Sequence, residues 1–170
     1  MGRLLGHIER LNIWIGRSVA WLTLVMVLVT FAIVVLRYLF DLGWIWLQES
    51  VTWMHAAVFL LGAAYTLARD DHVRVDVFYR QAGERRRALT NLLGSVLFLA
   101  PVAMFLGWGS LDYVTASWEI REGSREAGGL PYPTVSLVKS LIPLTALLLL
   151  LQALVLGVRS ATRLFGTNDP

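Results

Sequence analysis

The sequence contains one segment in which ionisable side chains crowd together, TLARDDHVRVDVFY at residues 66–79. Arg69, His72 and Asp76 follow closely after the apolar run AAVFLLGAA. Arginines at such a place stop a membrane span at the level of the lipid headgroups. Acids interleaved with valines need a second explanation. Asp is a favoured helix N-cap, so we predict that Asp76 caps a short interfacial helix beginning near Val77.

Transfer of protons or ions through a membrane requires ionisable side chains inside the apolar runs. His55 is the residue of this sequence that meets the requirement, about one and a half turns inside the outer end of its run. A lone histidine at this depth is more often hydrogen-bonded to a neighbouring helix or a partner than a proton relay. We therefore interpret His55 as a packing or subunit-contact residue.

A second polar group stands where the first two apolar runs meet. Arg37 closes one run and Glu49 opens the next, so the two side chains could form an ion pair, with Asp41 as a competing partner at the i+4 position. Trp46 belongs either to an interfacial tryptophan belt or to a subunit contact. An ion pair near a surface contributes only about 0 to 1 kcal/mol, so this one matters only if a partner buries it.

The elements that must position these residues are membrane helices. Hydrophobic residues make up 56% of the 170 positions and charged residues 16%, with a mean hydropathy of +0.62. The uncharged run 18–36 covers roughly 28 Å as a helix, close to a bilayer core of about 30 Å. We predict a single all-α integral membrane domain whose transmembrane helices span about 18–37, 50–68, 88–111 and 138–158.

The segments outside these spans carry two further predictions. Residues 2–16 place apolar side chains at helical spacing, which favours an interfacial helix over a frayed tail, and the first run is too long for a signal peptide. The third helix is expected to be kinked at Pro101. It is also expected to extend from about Glu84 to Ile120, because no helix breaker stands between Asp112 and Gly123.

Orientation follows from the distribution of Lys and Arg. The two terminal segments and the loop 69–87 carry 11 of these residues, and the opposite side carries 4. The positive-inside rule therefore places both termini and this loop in the cytoplasm and the loop 112–137 on the opposite side of the membrane.

Several other classes of small membrane protein lack their required residues here. The chain has no cysteine for disulfide exchange, and His55 alone cannot supply the axial ligands of two haems. No phosphate loop or nucleophile motif is present, so we predict no enzyme activity, no cofactor and no metal site. A stand-alone four-helix exporter remains the alternative, although its usual buried acid is missing from the first span.

From Val34 to Leu154 the sequence resembles the small membrane subunit, DctQ type, of the tripartite ATP-independent periplasmic (TRAP) transporters. The motifs that carry the resemblance are RYLF, WLQES, FLLGAAYTLARDDHVRVDVFY and GLPYP. The third is the most specific, since a span ending in Gly-Ala-Ala and followed by Arg, His and Val-Asp is uncommon. The stretch SWEIREGSREAGGLPYP is similar to the branch often labelled for mannitol or chloroaromatic compounds, a label that identifies no substrate.

The resemblance implies a small, non-catalytic scaffold that packs in the lipid bilayer against a large DctM-type membrane subunit. That subunit would carry sodium and an organic acid or related solute, delivered by a periplasmic solute-binding protein. The resemblance also implies that Arg69, His72 and Asp76 fix the cytoplasmic ends of the second and third spans for docking the large subunit. No nucleic acid is expected as a partner.

Overall fold

The computed structural model describes residues 2–70, 79 and 82–165. These ranges form four long helices and no strand. They are α1 (Gly2–Phe40), α2 (Ile45–Ala68), α3 (Glu84–Glu119) and α4 (Thr134–Phe165). Each is long and apolar enough to cross a membrane, which confirms the predicted all-α membrane fold with four spans.

The four helices run alternately up and down. The terminal end of the bundle holds the start of α1 and the end of α4, and the far end holds the connections 41–44 and 120–133. Helix α4 lies at the centre and contacts the other three helices. In the most apolar stretch of α4 33% of the residues are buried, whereas in that of α1 none is. Helix α1 is therefore a peripheral helix, and its outer surface is left for lipid or for another protein.

Helix α1 begins at Gly2 without any interruption before the span. A separate N-terminal interfacial helix is therefore not confirmed: Leu5 and Asn12 are buried, so this segment packs on the bundle.

Helix α1 ends where Asp41 adopts a left-handed conformation, with φ of 54°, and the Leu42 N–H donates to the Leu36 carbonyl over 3.0 Å. The predicted interfacial helix near Val77 lies outside the described residues.

Helix α3 changes its hydrogen-bonding pattern for one turn, the π-helical segment Gly94–Leu99. The Ala100 N–H donates to the Ser95 carbonyl, five residues earlier. Pro101 follows directly and cannot supply the N–H that an α-helix requires. The structure thus shows a π-helical turn directly before Pro101, where the helix rearranges its carbonyl partners, and the kink at Pro101 stays a prediction. Helix α3 ends at Glu119, one residue short of the predicted end.

Small side chains bring α3 and α4 close together. A Cβ atom added to Gly107 would lie 3.4 Å from the Cβ of Ala146, and one added to Gly157 would lie 3.1 Å from the Ser95 Oγ. Close backbone approach through small residues is the usual way in which membrane helices associate, because lipid tails are as apolar as leucine. The contact fixes the hairpin that carries much of the site described next.

Candidate functional site

The Glu49 carboxylate, near the start of α2, holds the connection between α3 and α4 at the far end. It accepts a hydrogen bond from the Ser124 hydroxyl and a second, of 2.7 Å, from the Leu130 backbone N–H. The Trp46 backbone N–H donates to the Gly128 carbonyl over 3.2 Å. The start of α2 is thereby tied to a loop about eighty residues later in the chain.

Glycine is required at position 129 beside this carboxylate. A Cβ atom at Gly129 would overlap the Ser124 side chain and would lie 2.8 Å from the Glu49 Oε2. Such distances are too short for a side-chain carbon, so a larger residue would displace the loop from α2. We call Glu49, Ser124 and the backbone of 128–130 the far-end clasp.

The ion pairs predicted for Arg37 are wrong. Arg37 is exposed, and it makes no ion pair with any residue of the described chain. Asp41 has left the helical conformation, with φ of 54°, so the i to i+4 geometry is lost. Glu49 is directed to the 120–133 connection, where two donors satisfy its carboxylate.

A second polar cluster joins the C-terminal part of α3 and the residues just after it to the start of α4. The Lys139 Nζ lies 2.5 Å from the Glu122 Oε2 and 3.9 Å from the centre of the Tyr113 ring. The hydrogen bond from Lys139 lowers the pKa of the Glu122 carboxyl. Below this cluster the hydroxyls of Ser117 and Ser136 lie 3.0 Å apart and are buried. The hairpin is thus closed by this ion pair, by the hydroxyl pair, and by a hydrogen bond of 3.0 Å that the Trp118 Nε1 donates to the Ser140 Oγ.

A third cluster, at the terminal end, joins α1 to α4. The Asn12 Nδ2 donates to the Gln152 Oε1 over 2.9 Å, and both side chains are buried. One turn outward, Arg159 donates two hydrogen bonds, of 2.7 and 2.6 Å, to the two carboxylate oxygens of Glu9. We call these two pairs the terminal clasp. A buried amide pair in an apolar bundle fixes the register of its helices, because any slip leaves polar groups unpaired.

A polar cavity of about 200 Å³ lies beside the terminal clasp. Its polar lining comes from Glu9, Asp70, Tyr79, Asn91, Gln152, Arg159, Ser160 and Arg163. The Asn91 Nδ2 donates to the Tyr79 hydroxyl over 2.9 Å, and the Arg87 Nε donates to the Tyr79 carbonyl over 3.1 Å. Tyr79 therefore attaches the loop before α3 to α3 itself.

The remaining predicted site residues are spread over α2 and the segment after it. His55 is exposed on the outer surface of α2. Arg69 follows the last residue of α2, and its backbone N–H donates to the Tyr65 carbonyl over 3.0 Å. His72 and Asp76 lie outside the described residues. The structure therefore brings Trp46 and Glu49 together with the 120–133 connection, and it keeps His55 and Arg69 apart from them.

Sequence reasoning missed the terminal clasp. Glu9 and Asn12 stand on the same helical face as the buried Leu5 and Gly16, and Gln152 and Arg159 are two turns apart on α4. This spacing is visible in the sequence as polar residues placed on an inward face. It was overlooked because residues 2–16 were assigned to the membrane surface, where polar side chains need no partner.

Residues 26–163 match the family described as the DctQ component of tripartite ATP-independent periplasmic transporters. This chain belongs to the DctQ family. The match includes the far-end clasp and the α4 half of the terminal clasp, whereas Glu9 and Asn12 precede it. DctQ proteins are transporter subunits and not a class of enzymes.

One relative comes from Vibrio cholerae and is named C4-dicarboxylate TRAP transporter small permease protein DctQ. It is 38% identical to this chain over 88 residues, which cover 52% of this chain and 38% of the relative. The matched part is therefore well under two thirds of the relative's length. No solved structure matches the chain.

Proposed function

We propose that this DctQ chain is the non-catalytic scaffold of a TRAP transporter, which supports a large DctM-type membrane subunit that carries the solute. The observation that carries the proposal is the distribution of polar groups in the described bundle. The buried polar side chains are uncharged, and two pairs of them, Asn12 with Gln152 and Ser117 with Ser136, join neighbouring helices. The ion pairs lie at the two ends of the bundle. This arrangement suits a structural part better than an ion pathway, which requires ionisable groups inside the membrane.

The wider assembly extends this proposal. A periplasmic binding protein delivers an organic acid or related solute, and the large subunit moves it inward together with sodium. The Vibrio cholerae relative is named for C4-dicarboxylates, so a four-carbon dicarboxylate is the first solute to test. The complex lies in the bacterial inner membrane with both termini of this chain in the cytoplasm, as the excess of Lys and Arg on the terminal side favours.

Reconstitution into liposomes tests the scaffold role. The isolated chain should move no labelled dicarboxylate and should dissipate neither a sodium gradient nor a proton gradient. The large subunit and the binding protein should take up solute only when this chain is present. Uptake or proton-coupled drug efflux by the isolated chain would reject the scaffold role in favour of an exporter.

Reporter fusions test the orientation independently. Fusions at Pro170 and between Arg69 and Arg87 should report cytoplasm, and fusions near Asp41 and Gly128 should report periplasm. A periplasmic C-terminus would reject this topology without bearing on the scaffold role.

The segment with Arg69, His72 and Asp76 is proposed to fix the cytoplasmic ends of α2 and α3 for the large subunit. The test is His72→Ala with Asp76→Ala, keeping every arginine so that the orientation signal is unchanged. Co-purification of the large subunit and solute uptake should both fall while membrane abundance stays constant. Normal values for both would reduce the segment to a stop signal for the second span.

A further inference from the structure

A row of polar side chains faces outward along α2. Gln48, Thr52 and His55 are exposed, and Phe59 and Gly62 continue the same face. The intervals between these five residues are four, three, four and three positions. We call them the α2 stripe. The stripe lies on one side of the helix because residues at this spacing recur on one face.

The stripe enters the membrane from the far end. Thr52 and His55 lie three and six residues beyond Glu49, which is in contact with the 120–133 connection. At 1.5 Å per residue, the imidazole is about 9 Å further along the helix axis than the Glu49 carboxylate. The apolar sequence AAVFLLGAA follows immediately after it. His55 thus stands where the surrounding solvent changes from headgroups to hydrocarbon.

The polar groups of the stripe have no partner within the described chain. The side chains of Gln48, Thr52 and His55 make no hydrogen bond with any described residue. Lipid tails offer no donor or acceptor, so an imidazole that faces them, as that of His55 does at the edge of the hydrocarbon, remains unsatisfied at a cost in free energy, whereas Gln48 lies further out at the level of the headgroups. Their position is explained if another protein supplies the missing groups.

The shape of the stripe specifies a helix as that protein element. Intervals of three and four are the seam along which two helices pack side by side. A Cβ added at Gly62 would meet nothing within 4 Å, so the backbone of a second helix can approach there.

The grooves between α3 and α4, of about 530 and 650 Å³, are almost entirely apolar. An acyl chain fills such grooves as well as a helix does, so they identify no occupant.

We infer that the α2 stripe is the docking surface for a transmembrane helix of the large membrane subunit, and that this helix carries hydrogen-bonding side chains at the depth of Thr52 and His55. The inference rests on the proposed scaffold function. A second copy of this chain is the competing occupant. A two-fold contact would set each His55 against the His55 of the second copy. Helix α2 would then have no polar surface inside the membrane left for the large subunit.

The absence of cysteine from the sequence makes a site-directed experiment direct. Single variants His55→Cys and Phe59→Cys are labelled with a benzophenone maleimide in membranes that contain the complete transporter, and are then irradiated. Phe31→Cys on α1 is the matched control, since Phe31 is 67% exposed and Phe59 73%. We expect an adduct with the large subunit from both stripe positions at a yield well above that of the control. Adducts with a second copy, adducts with lipid alone, or equal yields from all three positions would overturn the inference.

Removal of the polar groups gives a second measurement. Thr52→Val and His55→Leu keep the size of the side chains and remove their hydrogen bonds. Each lost interhelical hydrogen bond should weaken retention of the large subunit about threefold. Phe31→Leu, which removes no polar group, should leave retention unchanged, and constant membrane abundance shows that the variants fold. Unchanged retention in the Thr52→Val/His55→Leu double variant would overturn the inference.

The outcomes of these experiments distinguish a failure of the α2 stripe from a failure of the proposed scaffold function. If the unaltered chain does not retain the large subunit, the proposed function fails. If the unaltered chain retains it and the stripe variants retain it equally, the stripe alone is wrong and the docking surface lies elsewhere on the bundle.

Discussion

Loss of the Glu49 carboxylate should open the far end of the bundle. In the Glu49→Ala variant the Ser124 hydroxyl and the Leu130 N–H both lose their acceptor. A hydrogen bond to a charged group contributes about 1.5 to 3 kcal/mol, and the partial exposure of Glu49 lowers this contribution. We take about 2 kcal/mol for the two bonds together, which corresponds to a roughly 30-fold increase in the population of the released loop.

Limited proteolysis measures this population, because the loop contains Arg121 and Arg125 as sites for trypsin. When the loop closes faster than the protease cuts, the rate of cleavage follows the open population. Cleavage after Arg125, quantified by mass spectrometry of the protein in lipid nanodiscs, should therefore rise about 30-fold in Glu49→Ala. Glu49→Gln keeps a neutral acceptor for one donor, so a rise of about fivefold is expected.

Two further variants decide whether the clasp is responsible. Glu119→Ala removes an exposed acid at the end of α3 whose side chain makes no hydrogen bond with the described residues and which is remote from the Arg125 cleavage site, and it should cleave like the unaltered protein. Ser124→Ala combined with Glu49→Ala should add little to Glu49→Ala alone, because the two side chains share one hydrogen bond. If Glu49→Ala is cut no faster than Glu119→Ala, the clasp does not hold the loop and the reasoning is refuted.

Three other perturbations test the remaining contacts. Asn12→Leu should lower the free energy of unfolding by about 0.6 to 2 kcal/mol, and with it the thermal unfolding temperature in detergent. Adding Gln152→Leu should restore part of the lost stability, since no buried amide of this pair then lacks a partner. Gly16→Leu should destabilise the protein by about 1 to 3 kcal/mol, because its side chain would overlap Tyr65, whereas Gly6→Leu, which meets open space, should be neutral in the same melt. Because the pKa of the Glu122 carboxyl is lowered, its contribution to stability is present above the ordinary pKa of 4.5 and is lost as the pH falls below that value. Protection of the loop from an acid protease should therefore fall with pH in the unaltered protein, and it should fall less steeply in Glu122→Gln.

The number and type of the helices could be predicted from the sequence because both depend on local physics. A span must be about twenty apolar residues long, and charged residues mark its limits. The boundaries were less predictable. Residues 2–16 were separated from the first span by Arg17, yet the described helix continues through this position because no proline interrupts it and Gly16 packs against Tyr65.

The candidate site depends on contacts that are distant in the sequence, so only parts of it could be predicted. Glu49 was recognised as a polar residue at a span end, but its partner was assigned to the neighbouring Arg37. A carboxylate can bond to any donor that the fold brings near, and here the donors are Ser124 and the Leu130 N–H. Nothing in the local sequence around Glu49 states that the 120–133 connection folds back over α2.

The direction in which each helix faces is the feature that a membrane sequence conceals most. In a soluble protein an apolar stripe marks the core, but lipid is as apolar as leucine, so the run LTALLLLLQALVLG in α4 looks alike on every side. Polar residues show which side of a helix faces a partner, because a polar side chain in an apolar environment needs a hydrogen bond. Gln152 faces inward and accepts a hydrogen bond from Asn12, although the Asn12 Oδ1 and the Thr145 Oγ1 are buried without a partner in the described chain. His55 faces outward and meets nothing in the described chain. The same cost that forces Gln152 to find a partner inside the bundle applies to His55 on its surface, so the partner of His55 is expected in another chain.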